Sequence, residues 1–426
     1  MDKTIKKKIS QRKYIIASAF FLLIIAALVF IWFTQKQKSD EASEKVIREA
    51  AARQLNKDPN ELNDEDFAKI TEFTIGGLFA APPGMTNHIP DTQQLADIKM
   101  LEKFTNLKTL NLIAISYPER AIPRWMKLLA KLGVLDLKNR FEMDLSPLKS
   151  LSSLEELDLT KTPVRNLKPL AGLNNLKSLN LVSTNVSDLK PIRGLTNLQK
   201  LRLNGTEISS LEPLKGLKNI QVLKIGKTQV TDLESLKNLI NLQELDISAT
   251  QVSDLEPIRE LTDLQFIYIG GTSVSNLEPL MGLTNLEVLY LDESQVSDLK
   301  PLSDLVKLKT LPLYGSKVSD IEPLRNLISL QMINLKDTQV SNIEPLKGLI
   351  NLKILVLDNT KVSDLEPLKG LNNLENLLFA GTSVSSLEPL VNLTKLQRIY
   401  INNCINITDE QIQELQKALP SLKIER

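Results

Sequence analysis

Glu156 with Asp158, and Glu244 with Asp246, place two carboxyl groups two residues apart. Paired carboxyls are the material of acid–base chemistry, above all glycoside hydrolysis, where one group protonates the leaving oxygen and the other acts as base or nucleophile across the sugar. That chemistry needs two different environments on either side of a cleft. Two acids alternating along one extended segment share a face and an environment, so they read as solvated surface charge. The remaining inventory is equally bare. His88 is the one histidine and Cys404 the one cysteine, which excludes a His-based triad, a metal-ligand cluster and an internal disulfide framework. There is no phosphate-binding loop motif. The chain is expected to be no enzyme and to need no cofactor.

Charge narrows the partners. The 52 basic and 51 acidic residues leave a net charge of +1, which argues against a nucleic-acid binder held by phosphate neutralisation. The first 13 residues, MDKTIKKKISQRK, nevertheless hold six Lys/Arg and one Asp. They precede YIIASAFFLLIIAALVFIWF, residues 14–33, a run without charge. A helix of that length rises roughly 30 Å, the thickness of a bilayer core. Tyr14 and Trp32 sit at its ends, and it ends in Ile-Trp-Phe followed by Thr-Gln-Lys rather than in an A-x-A site. This pattern predicts an uncleaved transmembrane signal anchor, with the lipid bilayer as one partner. The flanking charges place residues 1–13 in the cytoplasm and everything after the span outside it, making a single-pass protein of the cell membrane.

A period of 22 dominates the rest. Apolar residues opening the pattern LxxLxL stand at Leu132, Leu154, Leu176, Leu198, Ile220, Leu242, Leu264, Leu286, Leu308, Leu330, Leu352, Leu374 and Leu396, with no insertion. Numbering each repeat from that residue, positions 1, 4, 6, 11, 14, 17 and 20 are apolar. Position 9 is Thr or Ser from Thr162 to Thr382, and position 16 is Pro in nearly all of those repeats. Two looser repeats precede them, at Leu107–Leu112 and Ile70–Ile75, the latter followed by an insertion containing His88.

This sequence resembles the leucine-rich repeat family, in the 22-residue class of bacterial internalins and protein phosphatase regulatory subunits. Thr or Ser, and Cys404 in the last full repeat, replace the family's usual Asn or Cys at position 9. The resemblance implies an α/β solenoid with a curved parallel sheet on the concave face and short 3₁₀ turns on the convex face. The physical reading agrees with it. Positions 3–7 predict a short strand, and Ser-Asp followed by Pro predicts a short capped turn rather than a long helix. About 16 stacked strands are expected, with a buried ladder of hydroxyls at position 9.

Caps are expected at both ends, because an exposed apolar end requires them. Residues 43–57 read as a short helix. Asn63 is a predicted N-cap, with Leu62 and Phe67 at the staple positions around it. Thr408 is another, with Gln411 completing a capping box and Ile407 and Ile412 as staple. Leu419, Leu422 and Ile424 then resemble positions 1, 4 and 6 of a closing strand, so the chain is expected to be complete. The domains are therefore a basic tail at 1–13, the anchor at 14–33, a linker and N-terminal helical cap at 34–69, repeats at 70–407 and a C-terminal cap at 408–426.

If positions 4 and 6 point inward, positions 3, 5 and 7 point out. Position 5 is polar or charged from Asp136 to Asp246, and then turns apolar or aromatic at Tyr268, Tyr290, Pro312, Val356, Leu378 and Tyr400. Phe266, Val288, Met332 and Ile354 at position 3 and Tyr314 at position 7 join them. Exposed aromatic and Met side chains in neighbouring strands match the centres of interfaces. The candidate partner-binding set is Phe266, Tyr268, Val288, Tyr290, Tyr314, Met332, Ile354, Val356 and Tyr400. Gly270, Gly271 and Gly315 add small residues through which a ligand would approach the backbone. Lys200, Arg202, Lys224 and Lys227 form a small basic stripe. The expected function is recognition or adhesion of a protein or glycan by a membrane-anchored concave surface outside the cytoplasm. The alternative is a cytoplasm-facing scaffold or regulator of an enzyme.

Overall fold

The structure, a computed structural model, describes residues 43–78, 98–114 and 142–426. The chain divides into two compact parts, one ending at Leu173 and the other running from Asn174 to Arg426.

The first part opens with a helix, α1, over residues 43–55. It stops at Asn56, whose φ of 52° is left-handed, and Lys57 N–H donates back to the Ala52 carbonyl at 3.0 Å. Helix α2 (Asp64–Ala68) is capped by Asn63 in a reciprocal box with Asp66. The staple residues Leu62 and Phe67 are both buried. The Phe67 ring lies 5.2 Å from that of Phe104, which in turn lies 4.8 Å from Phe73. The helix thus seals the first strand with aromatic packing. Strands β1 (Glu72–Leu78), β2 (Thr109–Ala114) and β3 (Glu156–Asp158) pair in parallel. Phe73, Leu110 and Leu157 fall in one register, as position 4 of their repeats requires.

That register corrects one expectation. Strand β2 pairs directly with β3, and both Glu155 and Glu156 N–H donate to the Lys108 carbonyl. No strand from the repeat opening at Leu132 stands between them, and the described residues contain 15 strands rather than 16. Position 5 of that repeat, Asp136, lies outside the described residues, as do His88 and its insertion.

The second part carries β4 (Ser178–Asn180), β5 (Lys200–Arg202), β6 (Val222–Lys224), β7 (Glu244–Asp246), β8 (Phe266–Tyr268), β9 (Val288–Tyr290), β10 (Thr310–Pro312), β11 (Met332–Asn334), β12 (Ile354–Val356), β13 (Asn376–Leu378), β14 (Arg398–Tyr400) and β15 (Lys423–Glu425), each paired in parallel with the next. From β4 to β14 each strand covers positions 3–5, shorter than the 3–7 expected. A 3₁₀ turn follows at positions 15–17, as at Lys190–Ile192. Its Pro needs no donor there. The Asp, Asn or Ser at position 13 accepts from the N–H two residues on, as Asp188 does from Lys190 at 2.9 Å.

Three further ladders hold the repeats. Leucines at positions 4 and 6, such as Leu179 and Leu181, are fully buried. The position-9 threonine hydroxyl turns back on the carbonyl of position 6, as Thr184 does on Leu181 at 2.7 Å and Thr338 on Leu335 at 2.6 Å, whereas the buried hydroxyls of Ser294 and Ser316 make no such bond. Cys404 takes that place in the last repeat, buried, with its Sγ 3.2 Å from the Phe379 carbonyl. At position 22, Asn197, Asn219, Asn241, Asn285, Asn351 and Asn373 each donate from the side-chain amide to the position-21 carbonyl of the preceding repeat.

Helix α3 (Asp409–Ala418) carries the expected capping box between Thr408 and Gln411. Strand β15 is offset from expectation. Ile424 lies opposite Ile399, at position 4, so Leu419, Leu422 and Ile424 do not repeat positions 1, 4 and 6.

The expected transmembrane helix is corrected. Among the described residues no helix is long and apolar enough to cross a membrane. The longest, α1, reaches roughly 20 Å at ~1.5 Å per residue and carries Glu44, Lys45, Arg48, Glu49 and Arg53. Residues 1–33, on which the anchor and the cytoplasmic tail were placed, lie outside the described residues. The described residues therefore form a leucine-rich-repeat solenoid of parallel strands and 3₁₀ turns, with no membrane-spanning helix among them. A single-pass membrane location with external repeats has no support in it.

One recurring backbone feature was not expected. Position 8 is left-handed in every repeat from Lys161 to Asn403, including Ser183, Gly205, Lys227, Ala249, Gly271 and Glu293. Such a φ costs a residue with a Cβ roughly 1–2 kcal/mol, and costs Gly almost nothing. Ala249, exposed with φ 53°, isolates that cost. Ala249→Gly is expected to stabilise the protein by about 1 kcal/mol, read as a rise in the urea midpoint, whereas Gly271→Ala should lower it.

Asp66 gives a second prediction. Its buried carboxylate accepts from Lys57 Nζ at 2.7 Å, Lys69 Nζ at 3.0 Å and Asn63 N–H at 3.3 Å. The Lys57 bond first, then those from Lys69 and Asn63, hold its pKa well below the usual carboxylate range. A carboxylate favoured in the folded state stabilises it above the unfolded pKa of ~3.9, and that contribution fades as pH falls through this value toward the folded one. Asp66→Asn is expected to lower the thermal midpoint at pH ~7 and to flatten its dependence on pH below ~4, measured by circular dichroism.

Candidate functional site

The inward leucines leave positions 3 and 5 on the open face of the sheet, and every residue of the candidate set is at least partly exposed. At position 3, Glu244, Phe266, Val288, Thr310, Met332, Ile354, Asn376 and Arg398 form one in-register row. Phe266 therefore neighbours Val288, and Met332 neighbours Ile354, with the threonine between the two pairs. Position 5 runs Asp246, Tyr268, Tyr290 in register. Beyond Pro312 it continues through Asn334, Val356, Leu378 and Tyr400. Val356 and Tyr400 are thus joined through Leu378, which the candidate set omitted. Pro312 has no N–H to give the ladder, and the β9–β10 pairing narrows to Thr310 against Val288.

The structure brings Tyr268 and Tyr290 together most closely. Their ring centroids are 5.0 Å apart, with the planes tilted by 36°. Lys224 Nζ lies 5.7 Å from the Tyr268 ring centroid and pairs with Glu244 at 2.6 Å. Burial, then the charges of Glu244, Tyr290 and Asp246, pushes the Tyr268 hydroxyl pKa up. Tyr314 stands apart at position 7, with Lys336 Nζ 5.8 Å from its ring. Its N–H donates to Asp292 Oδ1 at 2.8 Å. Burial pushes the pKa of Asp292 up, and does the same to Asp358, which accepts from Ala380 N–H.

The carboxylate pairs take structural partners. Glu244 meets Lys224, while Asp246 accepts from Asn204 Nδ2 at 2.7 Å, Ser248 N–H at 2.9 Å and Ser248 Oγ at 2.6 Å. Asp158 accepts in the same way from Thr160 N–H and Oγ1. No group of three or more His, Cys, Asp or Glu able to hold a metal occurs among the described residues. The basic stripe is not uniform either, since Lys224 is drawn into the tyrosine cluster.

The glycines near the strand ends have a structural part. Gly271 and Gly315 occupy the left-handed position 8. A Cβ on Gly270 would meet the Asp292 carbonyl at 3.0 Å. The turn and the close approach of adjacent repeats account for all three. The reach of Lys224 onto a ring two repeats away, and of Lys336 onto one in the preceding repeat, escaped the periodicity, which records direction but not side-chain length. A separate apolar strip also escaped it. Val306, Ile328 and Ile350, at position 21 of three consecutive repeats, are 50%, 56% and 58% exposed.

Comparison with known proteins agrees with this architecture. A family model of leucine-rich repeats in two copies matches residues 174–216, 196–238, 218–260 and 328–370. The fold is similar to that of an internalin (inlF) from Listeria monocytogenes, at 23% identity over 90% of this chain and 96% of that one, with a TM-score of 0.65. A leucine-rich-repeat protein of Leptospira interrogans is 21% identical over 86% and 92% of the two chains, with a TM-score of 0.68. The plant peptide hormone receptor RGFR1, solved in complex with RGF2, is 17% identical over 79% of this chain and 60% of its own, with a TM-score of 0.52. No curated protein sequence matches the chain. The protein is a leucine-rich repeat protein whose repeats resemble those of the internalins.

Proposed function

We propose that this protein is a binding scaffold that takes a protein partner on the open face of its sheet, along β8–β14. The observation that carries the reading is the Tyr268–Tyr290 pair, two aromatic rings in contact and partly exposed on a face whose neighbouring rows are apolar. Tyrosine offers large contact area at low entropic cost and is enriched where interfaces concentrate their energy. Phe266, Val288, Met332, Ile354 and Val356 extend the patch to either side, and Tyr314, Leu378 and Tyr400 mark its margins. A rigid sheet suits this work, because each repeat fixes its outward side chains relative to the next. The plant peptide hormone receptor of similar fold was solved in complex with RGF2, which supports a protein or peptide ligand.

A photo-crosslinking amino acid at position 290, in the full chain, is expected to form discrete adducts with a protein of its native cells. The same group at position 234, on a 3₁₀ turn, should not. Tyr268→Ser with Tyr314→Ser should weaken adduct formation by about tenfold or more, each buried tyrosine contact being worth roughly 2 kcal/mol. Equal adducts from both positions, or adducts indifferent to the serine substitutions, would exclude the open face as the binding surface.

A further inference from the structure

The three central tyrosines differ in one respect. Lys224 lies against the Tyr268 ring and Lys336 against that of Tyr314. Among the described residues, no cation lies over the ring of Tyr290, which stands between them. The charge around it is negative. Asp292 follows two residues on, half-buried in the turn that leaves the strand at Tyr290, and Glu293 is exposed next to it at the left-handed position 8. Across the sheet, Asp246 is in register with Tyr268, and Tyr268 with Tyr290. The nearby lysines are already engaged, Lys224 by Glu244 at 2.6 Å and Lys309 by Glu287 at 2.7 Å. Neither Asp246, Asp292 nor Glu293 pairs with a basic side chain among the described residues. Asp292 has one backbone donor, Tyr314 N–H, on Oδ1.

Resting on the open-face reading above, we infer that Tyr290, with Asp292 and Glu293, is the seat for an arginine or lysine side chain of the protein partner. The two flanking rings show the same chemistry made internally, an ammonium against a tyrosine face. A ring quadrupole attracts a cation within about 6 Å, and more strongly where water is partly excluded. An arginine suits the seat better than a lysine, because its planar guanidinium stacks on the ring while its N–H groups reach a carboxylate in the same plane. Asp292 gains from the arrangement too. Burial pushes its pKa up, so an arriving cation supplies the countercharge that its surroundings lack.

The test uses the full chain carrying fluorotyrosine at its six tyrosines, with each signal assigned by substitution and fluorine NMR as the readout. The probes are N-acetyl-arginine amide and its neutral isostere N-acetyl-citrulline amide. Arginine amide should move the Tyr290 signal saturably, and citrulline amide should bind about fivefold more weakly or worse. Asp292→Asn with Glu293→Gln should weaken arginine binding by about fivefold to tenfold. Asn keeps an oxygen acceptor for Tyr314 N–H, and an unchanged spectrum without probe will show that the fold is intact. Tyr290→Leu, which keeps apolar area and removes the ring, should abolish the difference between the probes, read on the Tyr268 signal. Equal binding of the two probes, like shifts at all tyrosines, or affinity unchanged in the Asp292/Glu293 variant would overturn the inference. Its failure is separable from that of the wider reading. A partner that crosslinks at position 290 while arginine amide leaves Tyr290 unmoved would sink the cation seat alone. Arginine binding without any crosslinked partner would sink the open-face reading instead.

Discussion

Strands of three residues do not stand alone in water. Each of those from β4 to β14 contributes one outward pair and very few backbone hydrogen bonds, and an isolated strand of that length has no stable partner surface. What holds them is the burial of leucines at positions 4 and 6 against the same positions of the next repeat, each side chain contributing on the order of 2 kcal/mol relative to exposure. That burial requires a constant step, so that Leu179 finds Leu201 and Leu201 finds Leu223. The hydroxyl ladder at position 9, the asparagine ladder at position 22 and the left-handed turn at position 8 all serve this step. The left-handed turn recurs in every repeat from Lys161 to Asn403, and the two hydrogen-bond ladders satisfy backbone carbonyls at the same places in most of them.

The constant step also leaves the outward positions free to vary. A residue at position 3 or 5 changes the surface without disturbing the core, because its neighbours across the sheet are fixed by the ladder. The chemistry of the open face is therefore local. Acids and bases occupy β5 to β7, aromatics begin at β8, and the two regimes meet where Lys224 reaches from Glu244 to Tyr268. The tyrosine cluster is thus a boundary feature, aromatic on one side and ionic on the other. An apolar surface with charge at its margin favours a partner of particular chemistry over indiscriminate association.

The solenoid was legible because its signal is repeated. One LxxLxL is weak, but the same apolar positions recurring at 22-residue steps admit only a stacked array. The caps at Asn63 and Thr408 were legible for a different reason, since a capping box is a local pattern with a local cause. The repeat at Leu132 shows the limit of such patterns. LGVLDL has the apolar spacing of a strand, yet β2 joins β3 directly. Pairing is decided by which strands meet, not by spacing within one of them. The left-handed position 8 was hidden because Lys, Ser, Ala and Glu fill it as well as Gly and Asn, so the backbone is imposed by the stack against local preference. Of the candidate site, direction was legible and contact was not. Alternation told which residues face out, whereas the Tyr268–Tyr290 ring contact and the reach of two lysines depend on side chains crossing between strands.

The unbroken step from β4 to β14 bears on how such a chain can change over time. Removing or duplicating a segment of one full period returns every leucine, hydroxyl and asparagine to an equivalent neighbour, wherever within the repeat the cut falls. Removing one residue fewer moves each inward side chain of the altered repeat to the wrong face. Length in this part of the molecule therefore comes in whole quanta. Gain or loss of a quantum changes the distance between the acidic and aromatic regions of the face by one strand spacing, about 4.8 Å. A lineage can in this way retune the separation of two recognition elements without altering either of them, using recombination between near-identical repeats rather than point substitution.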